Sequence, residues 1–193
     1  MKNLVYPFAA AALLLATAVA APAQETKPVG LSIRAGGFFP SDSDARDESD
    51  IWFALGLEYK LKDLTYQEAD GTATHLSLSA DWFESGDFRQ FPVLLNLVGT
   101  KNQMYYSVGV GVTFAKYRAR YRPIVDTGSD GWGGGFEPAT NSWRTDEDTL
   151  FGYSLGIGYQ FQQGQTPVFL EARYFGCEKS VLNGFAVYVG VRL

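Results

Sequence analysis

Seven charged side chains stand at alternating positions along otherwise small-residue stretches. They are Arg34, Lys60, Arg173 and Arg192 on the positive side, and Glu58, Asp81 and Glu171 on the negative side. Residues two apart in an extended chain share one face, so the seven can point into a common space. Charges withdrawn from water need partners of opposite sign, which a near-balanced set supplies. Such a set either closes a space with ion pairs or lines a selective pore. A second group, His75 and Ser77, places an imidazole and a hydroxyl on one strand face. With Glu58 or Asp81 beside them they would make the Ser–His–carboxylate arrangement of acyl transfer. The bland alternative, an interior histidine held by its surroundings, is the expectation. A third group, Lys116, Arg118, Arg120 and Arg122, shares the face of Phe114. Guanidinium groups match phosphate bidentately, so this run reads either as a phosphate contact or as solvated charge. The stretch 126–148 gathers Asp126, Asp130, Glu137, Asp146, Glu147 and Asp148 around Trp132 and three consecutive glycines. Its Asp126 to Gly131 segment lacks the spacing of a helix–loop–helix calcium site. A solvated loop is expected there, with no metal.

The inventory removes much else. A single histidine and a single cysteine, Cys177, leave no disulfide framework and no multi-ligand zinc site. Cys177 is expected to be a spectator, and no pattern asks for a cofactor. The chain has 193 residues and a formal charge of −5, without the basic footprint that nucleic-acid binding requires. Met1-Lys2-Asn3 followed by the apolar run Leu4 to Ala20 and the small residues Ala21-Pro22-Ala23 reads as a signal peptide. Residues 1–23 are therefore expected to be removed, leaving 24–193 as one domain.

The elements that must position the charges are read from period-two alternation. Apolar Phe53, Leu55, Leu57 and Tyr59 oppose Ala54, Gly56 and Glu58. Tyr106, Val108, Val110, Val112 and Phe114 oppose Ser107, Gly109, Gly111 and Thr113. Phe151, Tyr153, Leu155, Ile157 and Tyr159 oppose Gly152, Ser154, Gly156 and Gly158. The same pattern recurs around 30–39, 75–82, 168–175 and 185–193, and more weakly in 91–98, where Pro92 fits only near a strand's start. That gives eight strands and no helical segment. Glycine packs nothing on a water-exposed face but relieves crowding inside a narrow barrel. The apolar faces are thus expected outward, in an all-β, eight-stranded antiparallel up-and-down transmembrane β-barrel. An eight-strand interior is just wide enough for side chains to fill, which favours the ion-paired plug over the pore.

Connections alternate in length. Residues 41–50, 84–90, 119–148 and 176–183 form one set, and 99–103 and 163–166 are short, with 62–73 a longer hairpin turning at Asp70-Gly71. Tyr117 and Tyr121, alternating with the basic run, favour continued strand beyond Phe114. With Phe91 to Leu97, Tyr106 to Val112 and Phe169 to Tyr174 as its best local matches, the chain from about Val29 to Leu193 resembles the small eight-stranded outer-membrane barrels, the OmpA/OmpX/OmpW-like porin-family domain. The resemblance implies an outer-membrane location, with short turns on the periplasmic side. It implies periplasmic chaperones and the barrel-assembly machinery as partners in biogenesis, and membrane lipid and lipopolysaccharide as surroundings. Strand five would then run outward and place Lys116, Arg118, Arg120 and Arg122 beside lipopolysaccharide phosphates. The family's last strand ends on an aromatic residue, where this chain has Leu193. Lipid A deacylases of this architecture carry a His-x-Ser pair near the C-terminus, where this chain has Arg173-Tyr174-Phe175. The functional expectation is a non-enzymatic barrel that stabilises the envelope or presents surface loops. A narrow channel or carrier for small hydrophobic molecules ranks second, and a lipid-modifying hydrolase third. No oligomeric state follows.

Overall fold

Segments with one apolar and one polar face, repeated eight times, pair in sequence order, and the last returns to the first. The computed structural model describes residues 30–65, 72–121, 142–161 and 166–193, with the backbone alone for 65, 118–121 and 142–144. It is a closed barrel in which each strand pairs with its neighbours in order. The strands are β1 (Leu31–Pro40), β2 (Trp52–Thr65), β3 (Thr72–Ser85), β4 (Phe88–Lys101), β5 (Met104–Tyr121), β6 (Ser142–Gln160), β7 (Val168–Cys177) and β8 (Gly184–Arg192). All pairs are antiparallel, and β8 closes on β1 from Ser32↔Arg192 to Pro40↔Gly184. Closure leaves no unpaired sheet edge. At the seam, the Leu193 amide donates to the Leu31 carbonyl at 2.7 Å, and the Leu193 carbonyl accepts from the Gly30 amide at 3.0 Å. Leu193 therefore completes the ladder.

The barrel is apolar outside and filled inside. Leu57, Val110, Leu155 and Ile157 are each half exposed or more, at 50–53%. Their inward neighbours Glu58, Ser107 and Ser154 are buried. Aromatic rims flank this aliphatic band. Trp82, Phe91, Phe114, Tyr153, Tyr174 and Phe185 lie towards one end, with ring pairs 4.9–6.4 Å apart. Tyr59, Tyr106, Tyr159 and Phe161 lie towards the end that carries Gly30 and Leu193, here called the terminal end. An apolar belt between two aromatic girdles is the outer surface of a bilayer-spanning barrel.

Several expectations need correction. The stretch 119–148 is not all loop: β5 runs to Tyr121 and β6 begins at Ser142, paired from Tyr121↔Ser142 downward. The alternation of Tyr117 and Tyr121 had the strand continuing, and cross-strand pairing carries it. The stretch 84–90 is not a long loop either. Strands β3 and β4 meet across Gly86-Asp87, and Gly86 takes φ +54°, a left-handed conformation that glycine adopts without steric cost. A helix, α1 (Ser43–Glu48), occupies the first long connection, where none was expected. Its N-cap Asp42 accepts a hydrogen bond from the Asp44 amide at 2.9 Å, and Ala45 alone is buried, too short a stripe to read as a period. Pro92 sits five residues into β4, not at its start. The ladder from β3 passes from Ala80↔Val93 to Phe83↔Gln90, so the missing N–H falls in a gap of that pairing. Residues 1–23, the Asp70-Gly71 turn, and Asp126, Asp130 and Glu137 lie outside the described residues.

Candidate functional site

The interior is built in layers. Its middle layer is an ion cluster. Arg34 on β1 is 1% exposed, and its guanidinium grips Asp81 of β3 through Nε–Oδ1 at 3.0 Å and Nη2–Oδ2 at 2.8 Å. Its Nη1 donates to Glu58 of β2 at 3.0 Å and to Glu171 of β7 at 3.1 Å. Arg173, on β7, donates through Nη2 to Glu58 at 2.9 Å and through Nε to Glu171. Hydroxyls complete the carboxylates: Ser77 donates to Glu58 at 3.0 Å, Tyr188 to Asp81 at 3.0 Å and Tyr105 to Glu171 at 3.2 Å. Fully desolvated ion pairs hold only when the remaining lone pairs find donors, and here they do. Gly56 makes the central grip possible: a Cβ there would lie 2.2 Å from Asp81 Oδ1 and 2.5 Å from Arg34 Nε. No inward side chain larger than hydrogen fits opposite Arg34.

Above the cluster, away from the terminal end, the barrel is stopped by rings. Phe38 packs on Trp52 at 5.3 Å and on Phe83 at 4.5 Å, Trp52 on Phe88 at 5.4 Å, and Phe83 on Phe175 at 4.8 Å. Ala45 of α1 and Leu182 of a 3-10 turn (Ser180–Leu182) join the same buried group as lids. Gln90 ties that turn down by donating to the Leu182 carbonyl at 2.6 Å. The charged layer thus lies under a dry aromatic one.

Below the cluster the barrel opens towards the terminal end as a vestibule of about 450 Å³. Ser32, Lys60, Asp63, His75, Thr100 and Arg192 line it, and Glu58 forms its inner limit. Lys60 pairs with Asp63 at 2.6 Å, both about 40% exposed. Arg192 lies over the rings of Tyr105 and Phe169, 5.5 and 5.7 Å from their centroids, and reaches Ser32 at 3.4 Å and Gln160 at 3.3 Å.

Of the seven charges expected in one network, five come together: Arg34, Glu58, Asp81, Glu171 and Arg173. Lys60 and Arg192 do not join them. Lys60 lines the mouth, next to a register shift of β2 between Lys60 and Lys62, and Arg192 ends β8 at the rim. The cluster proper is therefore two cations against three anions, with tyrosine hydroxyls making up the donors. Parity marked Tyr188 as inward, but the alternation alone gave no sign that its hydroxyl reaches Asp81. Tyr105 falls one residue before the clear alternation and was missed. Ser77 is fully buried and donates to Glu58, while His75 lines the vestibule. The two do not form a nucleophile–base pair open to a substrate. Among the described residues no group of three or more His, Cys, Asp and Glu is placed to hold a metal ion. Cys177 closes β7, half-buried.

The outer cations form a separate feature. Lys116 points outward opposite Arg89, across the β4–β5 pair, and lies 3.7 Å from Glu147. Arg89 bonds Glu84 at 2.6 Å and stacks 4.9 Å from the Trp82 ring centroid. Arg118 and Arg120 lie on β5 opposite Thr145 and Trp143, and Arg122 lies outside the described residues. Arg89, just before the recognised strand, was not anticipated.

Comparison with known proteins gives structural neighbours only. No protein-family model matches the chain, and no curated protein sequence matches it. Among solved structures, the chain is similar to the outer membrane protein Ail of Yersinia pestis, with 14% identity, TM-score 0.42, and coverage of 84% of this chain and 98% of that one. It is also similar to Neisserial surface protein A, with 11% identity, TM-score 0.46, and coverage of 84% and 94%. The outer membrane enzyme PagL matches with 12% identity, TM-score 0.41, and coverage of 84% and 98%.

Proposed function

We propose that the protein is a non-enzymatic outer-membrane barrel whose closed interior makes it a structural and surface-presenting component of the envelope. The observation that carries this reading is the double seal inside an apolar-sheathed barrel. A buried five-residue ion cluster lies beneath a packed aromatic layer that reaches Ala45 and Leu182. A chain with a continuous apolar belt of this kind belongs in a bilayer, because water would face its exposed leucines, valines and aromatics. The terminal end faces the periplasm and the α1 end faces outward, since strands entering from the periplasm leave both chain ends there. Lys116, Arg118 and Arg120, on the outward end of β5, then stand at the level of the outer leaflet, where lipopolysaccharide presents phosphates. A hydrolase reading has less support, since Ser77 is buried and committed to Glu58. The test is expression followed by membrane fractionation and lipid A mass spectrometry. The protein is expected in the outer-membrane fraction, resistant to alkaline extraction, migrating differently on a gel before and after boiling, with lipid A masses unchanged. Recovery as a soluble protein without the mobility shift overturns the barrel assignment, and a lipid A mass change overturns the non-enzymatic one.

A further inference from the structure

The vestibule at the terminal end is a dead-end pocket in which, among the described residues, one cation has no carboxylate partner. Its volume of about 450 Å³ lies within the ordinary range of small-molecule sites, and the ion cluster closes its inner side. The anions around it are already committed. Asp63 holds Lys60 at 2.6 Å. Glu58 is surrounded by Arg34, Arg173 and Ser77 at 2.9–3.0 Å. Arg192 differs from every buried arginine of the barrel. Among the described residues, its hydrogen bonds run only to neutral oxygens, Ser32 at 3.4 Å and Gln160 at 3.3 Å, both long, and its flat face rests on Tyr105 and Phe169. Two aromatic rings and a hydroxyl hold the fork in place without neutralising it. Ser32 and Thr100 add hydroxyls to the same wall, and Lys60 adds a second positive charge at the lip.

We infer that this vestibule is a binding site for a small solute bearing a carboxylate or phosphate group, with Arg192 as its principal anchor. A planar fork with unused donors matches an oxyanion bidentately. Burial on one side by rings strengthens that contact relative to open water. Lys60 contributes long-range attraction, and its bond to Asp63 exchanges readily because both groups are exposed. The floor does not repel the ligand strongly, because donors cover the oxygens of Glu58. The site goes beyond the envelope role proposed above and does not depend on lipopolysaccharide contact.

His75 provides the readout. It lines the same cavity and is the single histidine of the chain, so its imidazole resonances need no assignment. The refolded barrel in detergent micelles is titrated at fixed pH and constant ionic strength with succinate, inorganic phosphate or choline. Succinate or phosphate is expected to shift the His75 signals saturably, and the difference between the two arms identifies the preferred group. Arg192→Gln is expected to weaken that binding roughly tenfold or more, Arg192→Lys by less, and Lys60→Gln by a few-fold. Heat-shifted gel mobility verifies that each variant is folded, and Lys60→Gln carries the test should Arg192→Gln fail to fold. A site with no saturable response to either anion overturns the inference. So does an equal response to choline, or affinity unchanged in the folded variants.

Discussion

Removing Arg34 should expose how the buried cluster balances its charges. Its guanidinium makes four hydrogen bonds of 2.8–3.1 Å to three carboxylates. In the Arg34→Met variant those three carboxylates share only Arg173. Asp81 keeps only the Tyr188 hydroxyl among its cluster partners, with no cation in contact. Each hydrogen bond to a charged group is worth about 1.5–3 kcal/mol, but much of that repays the cost of burying the ions. The net loss on breaking one side of a buried pair is about 3–5 kcal/mol. Asp81→Leu alone should cost a similar amount, because Arg34 loses its bidentate partner. The double variant removes cation and anion together and restores the one-charge excess of the parent cluster. Its cost should therefore fall well below the sum of the singles, by at least about 2 kcal/mol. Reversible urea unfolding of the barrel in lipid vesicles measures all four proteins. Additive losses would refute the reasoning, as would an Arg34→Met loss within experimental error, which would indicate a hydrated lumen.

Glu171→Ala strips the acceptor from Arg173 Nε, Arg34 Nη1 and Tyr105, and Arg173 Nη1 already lacks a hydrogen-bond partner. The same unfolding titration should show a loss of about 3–5 kcal/mol in a dry site. Replacing Arg118, Arg120 and Arg122 by Gln is expected to reduce co-purified lipopolysaccharide at low salt while leaving gel mobility unchanged, each contact being worth about 1 kcal/mol and falling with salt. Gly86→Ala places a β-carbon at φ +54° and 1.8 Å from Glu48 Oε1. Glu48 must give up its present contact to make room, so the expected cost exceeds the backbone strain of about 1 kcal/mol, read in the same titration.

How far the sequence spoke depended on whether a feature was periodic. Alternation such as Tyr106 to Phe114 shows which side of a strand faces lipid, and from it follow the strand count, the closure and the inward placement of Arg34, Glu58, Asp81, Glu171 and Arg173. It shows nothing about height along the barrel axis. That is why Lys60 and Arg192, inward by parity, were grouped with a cluster that they lie beneath. A bulge after Lys60 is likewise invisible, since an extra residue leaves no mark in composition. The aromatic seal was hidden for a different reason. Phe38, Trp52, Phe83 and Phe175 come from four strands, each at the edge of its alternating run, and only pairing register brings them together. The short helix α1 buries one alanine and carries no apolar stripe, so pattern reading had nothing to detect.

Planar-bilayer conductance tests most directly whether the interior is closed to ions. Barrel refolded to its heat-modifiable form and inserted into the bilayer is expected to give no steady single-channel currents in potassium chloride at either polarity. Arg34→Met, with one of the two cations of the cluster gone, should still be silent, because the layer of Phe38, Trp52, Phe83 and Phe175 remains. Reproducible ohmic steps from the parent protein, scaling with salt concentration, would contradict the closed interior and require a continuous aqueous path past both seals.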